Sequence, residues 1–240
     1  MKKINWHTVR LVFIIFVMIF LYSFSLKRNS ERKINKIEVK FESNENMFLT
    51  HEMVNNLLIQ NLGNASRIQK DKVDLSTLEN SLNHHEMIEK AEVFSTIDGF
   101  LNTRITQKTP ILRVISDDDS YYLDSKGNRI SLSTNFSARV PLVIGEISKE
   151  KSKPYLFLFN QIKKDEFLSK NITGAQIMPS GNVVLTNRSY DYKIVFGKPI
   201  NVADKLKNYK AFFQHAIKDS LIKNYKEVNV MFTHQVVCKK

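Results

Sequence analysis

Cysteine is nearly missing from this chain: Cys238 is the only one in 240 residues. A disulfide within the chain is therefore excluded, and cysteine usage neither supports nor opposes an oxidising compartment. Glycine and proline are few, at 7 and 5; neither a Gly-rich phosphate loop nor a low-complexity tract occurs. Acidic residues are outnumbered, 24 against 36 basic, which leaves a net charge of +12. The basic residues are scattered rather than blocked, and no aromatic-basic motif accompanies them. Solvated lysine faces explain this pattern better than nucleic-acid binding, so nucleic acid is not an expected partner.

Catalytic signatures are equally thin. Ser30-x-x-Lys33, Ser148-x-x-Lys151 and Ser220-x-x-Lys223 each match the Ser-x-x-Lys of wall transpeptidases, and Ser133-x-Asn135 adds a weak second element. That chemistry also needs a Lys-Ser/Thr-Gly strand beside the serine, and the chain has none. A lysine-rich chain produces such matches by chance. His84 and His85 are adjacent, so on a helix they point about 100° apart and cannot both face one ion. Asp117-Asp118-Asp119 diverge as consecutive carboxylates do in a solvated turn. The expectation is a non-enzymatic chain with no cofactor and no metal; a membrane-anchored wall-modifying or transpeptidase-related enzyme is the alternative.

Charge is also absent from residues 11–26, and there the absence is informative. With Val9 and Arg10, whose head can snorkel to the headgroups, residues 9–26 are long enough to cross a bilayer, which takes roughly 17–25 residues. Trp6 and Tyr22 stand where interfacial aromatics sit. A cleaved secretory signal would share this pattern, but Ser23-Phe24-Ser25 is a poor cleavage site and Lys27-Arg28 follow at once. An uncleaved anchor is expected, with residues 1–8 as a cytoplasmic tail and 27–33 as a linker. Lys2, Lys3 and Arg10 before the span are outnumbered by Lys27, Arg28, Arg32 and Lys33 after it, so flanking charge leaves orientation open; long domains translocate largely regardless of it.

Beyond the linker the pattern is α+β. Residues 34–41 alternate, with Ile37, Val39 and Phe41 on one face of a strand. Thr50 caps a helix carrying Met53, Val54, Leu57 and Leu58, with Gly63 at its C′ end. Ser76-Thr77-Leu78-Glu79 reads as a capping box opening a second helix. Two strands, residues 91–97 and 101–105, join through Asp98-Gly99. The order is β-α-α-β-β, and the unit is placed at residues 34–115. A β-rich unit follows at 116–240: a turn at Asp124-Ser125-Lys126-Gly127, a helix with Pro154 at its first position, and strands near 172–178, 182–186 and 190–196. Val202, Leu206, Tyr209, Phe213 and Ile217 then form the stripe of a covering helix, and Val228, Val230 and Phe232 alternate in a final strand. No parallel βαβ signature is legible in this half.

These elements, in this order after an anchor, resemble the FtsQ/DivIB cell-division family, whose first extracytoplasmic unit is a POTRA domain. Gln107-Lys108-Thr109-Pro110-Ile111-Leu112-Arg113-Val114 is similar to the close of that domain, and Tyr121-Tyr122-Leu123-Asp124 with Gly127 to the family's aromatic turn. Val140-Pro141-Leu142-Val143 with Gly145, Ile194 with Phe196-Gly197-Lys198, and Val228-Asn229-Val230 with Phe232 continue the match. The resemblance implies a bitopic inner-membrane scaffold of the division septum, with periplasmic domains and FtsB- or FtsL-like coiled-coil partners among other divisome components. It also implies docking by strand addition along residues 228–237. In that picture Phe232 meets the partner, Lys198 meets a partner carboxylate, and Val228, Asn229, Val230, Met231 and Thr233 complete the edge.

Overall fold

The computed structural model describes residues 6–30, 32–43, 47–62, 69, 72–116, 119–148 and 151–240. Its first helix, α1 (Trp6–Ser30), contains a 21-residue stretch, Val9–Asn29, long and apolar enough to cross a membrane. At 1.5 Å per residue such a stretch measures about 31 Å, the thickness of a hydrocarbon core. The helix runs past residue 26, so Lys27 and Arg28 lie in its last turn, beside its carbonyl dipole, rather than in a linker.

The chain then divides into two compact units. The first follows the expected β-α-α-β-β order: β1 (Lys36–Phe41), α2 (His51–Leu62), α3 (Leu75–Asn83), β2 (Ile88–Ser95) and β3 (Phe100–Gln107). Its sheet runs β1-β3-β2, with β1 parallel to β3 and β2 antiparallel to it. Val54 and Leu58 of α2, Leu78 and Leu82 of α3, and Ala91, Val93, Leu101 and Ile105 of the sheet are all buried. The β2–β3 hairpin turns at Gly99, whose φ is 85° and where a Cβ would stand 2.6 Å from the Lys33 carbonyl oxygen, so only glycine fits. Thr50 caps α2 as expected, its Oγ1 accepting the Met53 N–H at 3.2 Å. Gly63 lies outside the described residues. The capping box is corrected: Asp74 caps α3 by accepting the Thr77 N–H at 3.1 Å, and Glu79 accepts the Val93 N–H at 3.2 Å across to β2. A carboxylate one turn into α3 reached the neighbouring strand instead of its own helix end.

The first unit closes at Gln107, not at residue 115. Pro110–Ile115 is β4, a strand inside the larger sheet of the second unit. That unit continues with β5 (Ser120–Asp124), β6 (Arg129–Ile130), β7 (Leu142–Ile144), α4 (Ser152–Lys164), α5 (Glu166–Asn171), β8 (Ile172–Ile177), β9 (Val183–Asn187), β10 (Lys193–Gly197), α6 (Val202–Lys218), β11 (Glu227–Asn229) and β12 (Val237–Lys239). Its nine strands run β12-β11-β10-β9-β8-β7-β4-β5-β6. β4 with β7, β7 with β8, and β10 with β11 pair in parallel. The expectation of no βαβ unit is therefore wrong: β7-α4-α5-β8 and β10-α6-β11 are both parallel crossovers. β7, at three residues, is too short to show a periodicity, and the parallel pairing of β11 with β10 is not visible in the alternation of β11 itself. Pro154 is the third residue of α4 rather than its first, still within the turn whose N–H groups need no intrahelical partner.

One line of side chains organises this unit. Val114, Val143, Ala175, Leu185, Ile194 and Val228 are successive partners across six strands, and all are buried. Cys238 of β12 ends the line, half-buried, with burial pushing its thiol pKa up. Leu158, Phe159 and Ile162 of α4 and Leu206, Tyr209 and Phe213 of α6 belong to the same core. The buried Asn187 donates to Tyr209 Oη at 2.8 Å, and Tyr192 and Tyr209 hydroxyls lie 3.0 Å apart, so the polar atoms at the centre satisfy one another.

Candidate partner-binding edge

The residues singled out near the C-terminus fall at one end of the larger sheet, where β10 hands over to α6. Gly197 closes β10 with a φ of 73°, and a Cβ there would stand 2.7 Å from Met231 Cγ. Met231 thus fills the space a side chain at 197 would need. The β9–β10 register shifts between Val195 and Gly197, at the end of the strand. The Ile200 N–H donates to Lys198 O at 2.8 Å, and α6 begins after Asn201, which is left-handed at φ 51°. Beneath this turn lies Lys205, only 3% exposed. Its Nζ donates to Phe196 O at 3.1 Å and Lys198 O at 2.9 Å, and stands 5.0 Å from the Phe196 ring centroid. Burial pulls its ammonium pKa below the ordinary lysine value.

The single edge strand expected over residues 228–237 is corrected. β11 stops at Asn229, whose Oδ1 accepts the Met231 N–H at 3.0 Å and folds the chain out of the sheet. The Val230 N–H makes one more bond, to Val195 O at 3.0 Å. Val228 and Val230 are both fully buried. β12 then returns antiparallel along β11 and becomes the terminal strand. Val228, Asn229 and Val230 are consequently interior to the sheet. The alternation of Val228, Val230 and Phe232 continues in the sequence, but the Asn229 turn breaks it in space. Phe232 is 49% exposed and Met231 40% exposed, and the Lys198 side chain is also exposed. Thr233 is half-buried, and its carbonyl accepts Asn208 Nδ2 at 2.8 Å, which ties this loop to α6.

The structure therefore brings Met231 against Gly197, next to Lys198 in the chain, leaves Phe232 exposed in the same loop as Met231, and sets β12 at the sheet margin. Among the described residues no strand pairs with the outer side of β12. Lys205 was missed, although its spacing from Val202 and Tyr209 puts a lysine on the apolar stripe of α6, a signal visible in the sequence.

Residues 32–106 match the POTRA-like domain. Residues 109–239, more than half the chain, match the family described as FtsQ/DivIB, C-terminal related. The chain belongs to the FtsQ/DivIB family. No individually curated protein matches it as a relative. FtsQ/DivIB proteins with POTRA domains are cell-division scaffolds, generally without enzymatic activity, and their partners are proteins of the division complex. The first match ends at residue 106 and the second begins at residue 109, on either side of the boundary between the two units in the chain at residues 107 and 108. The features at 197–201 and 230–239 are backbone at a sheet margin, exposed apolar side chains and a basic residue. Among the described residues no three His, Cys, Asp or Glu side chains come together as a metal site would require. His84 instead ends α3, with Nδ1 2.7 Å from Asn80 O, and His85 Nδ1 accepts the Met87 N–H at 3.2 Å.

Proposed function

We propose that this FtsQ/DivIB chain is a single-pass inner-membrane scaffold with both compact units in the periplasm. There it links septal proteins by docking a segment of an FtsB- or FtsL-like coiled-coil partner on β12. The observation that carries this reading is that, among the described residues, no strand pairs with the outer side of β12 at the end of the nine-strand sheet. An unpaired strand offers backbone N–H and C=O groups to any extended peptide, and alternate side chains then choose among peptides. Met231 and Phe232 supply exposed apolar surface in the loop that joins β11 to β12, and Lys198 supplies the positive charge for a partner carboxylate. Val228 and Val230 serve by anchoring β11, on which β12 rests; Asn229 and Thr233 shape the loop that presents Phe232.

The test is co-purification from membranes, comparing the full chain with one lacking residues 236–240. This deletion removes β12, with the half-buried Val236 and Cys238, while keeping the fully buried Val228 and Val230. The partner is expected to be lost and the melting temperature largely kept. A shortened chain that still retains its partner would show that docking occurs elsewhere.

A further inference from the structure

Lys205 is an unusual residue to find at 3% exposure. Among the described residues no carboxylate pairs with it; its hydrogen-bond partners are the carbonyls of Phe196 and Lys198, and it faces the Phe196 ring. Holding an ammonium in the interior without an anion is costly, and an apolar side chain of similar length avoids that cost. Stability therefore does not explain its presence. Its position does. The two carbonyls it binds flank Gly197, and the second belongs to Lys198, so one ammonium fixes the course of the turn from 196 to 198. That turn carries the exposed Lys198 side chain and the bare glycine on which Met231 rests. A buried charge is also screened less by solvent than Lys198 itself, so it adds positive potential under the same surface.

We infer that Lys205 is a positioning residue for partner recognition: it clamps the Gly197–Lys198 turn so that Lys198 and Met231 are presented together to an acidic, apolar segment of the partner. This rests on the docking reading above, and the test separates the two. A photo-crosslinking amino acid is placed at Ile200, which is 60% exposed three residues beyond Gly197, or at Val237 of β12, 47% exposed. Each full-length chain is irradiated in membranes with an epitope-tagged copy of the coiled-coil partner invoked above. In Lys205→Met the adduct at 200 falls at least tenfold while the adduct at 237 stays within twofold. Lys205→Arg, which keeps charge and donors, restores the first, and the melting temperature of Lys205→Met is equal to or above that of the wild type. An unchanged adduct at 200 in Lys205→Met overturns the clamp while leaving the docking edge standing. No adduct at either position in the wild type overturns the docking reading and the clamp with it. A Lys205→Met chain that no longer folds overturns the claim that this lysine serves recognition rather than stability.

Discussion

At the scale of single residues, side chains that hold the fold are distinct from those that face outward. Phe232 is half-exposed, so Phe232→Ala should change the unfolding free energy by about 0.5 kcal/mol or less, as surface changes do. A buried ring would lose about 3–5 kcal/mol. Gly197→Ala should be costly by comparison, about 1–3 kcal/mol, because φ is positive and Met231 Cγ already occupies the Cβ position. Denaturant titration of both variants orders them. Asp165 gives a pH signature. It caps α5 through the Leu168 N–H at 3.0 Å and meets Lys210 Nζ of α6 at 2.5 Å, with both side chains about a third exposed. Burial alone would raise its carboxyl pKa, but the Lys210 hydrogen bond, the backbone N–H groups and the Lys210 charge together hold it below the ordinary value. A carboxyl lowered on folding stabilises fully above its unfolded pKa, and loses that contribution as pH falls through the folded one. Asp165→Asn keeps the cap but not the charge, so its unfolding free energy should trail the wild type's by about 0.5–1 kcal/mol at neutral pH. The gap should narrow below about pH 4 and close at lower pH. A gap that is constant with pH would mean the ion pair contributes nothing. Val228 and Val230 were legible in the sequence as inward-facing; Phe232 was ambiguous, because a two-residue period cannot see a side chain such as Asn229 folding the backbone out of line.

At the scale of elements, long periodic segments were the readable ones. The anchor helix, α2, α6 and the β2–β3 hairpin stand where hydrophobic period and turn residues put them. The stretch containing Ile111, Leu112 and Val114 was recognised as apolar but assigned to the wrong unit. Nothing local distinguishes a strand that ends one sheet from a strand that begins the next; its partners, β5 and β7, come later in the chain. The same limit hid β12, three residues whose role is set by the strand they cover. The consequence is practical. A deletion starting at residue 227 would take Val228 and Val230 from the core and unfold the sheet, whereas loss of residues 236–240 should leave a cooperative transition. Circular dichroism melts of the two truncated chains should show the first destabilised by several kcal/mol, as removal of two buried valines demands, and the second close to the full chain.

At the scale of the molecule, two compact units follow one apolar helix. A fragment of residues 32–107 should unfold in a single cooperative transition. The fragment 34–116 should aggregate more readily, because β4 would be an apolar strand without its sheet. Phe48, fully buried against Tyr122 and Phe136, belongs to the second unit despite its place in the chain, and Phe48→Ala should cost that unit about 3–5 kcal/mol. Protease added to spheroplasts should digest both units if they stand outside the cytoplasm; a soluble form starting near residue 25 would identify the helix as a cleaved signal. Backbone hydrogen exchange of residues 237–239 tests strand addition at β12 most directly. With the partner bound, amides on the outer side of β12 should exchange at least tenfold more slowly than in the free chain. Formation of the complex with those amides exchanging at their free rate would contradict docking on this edge.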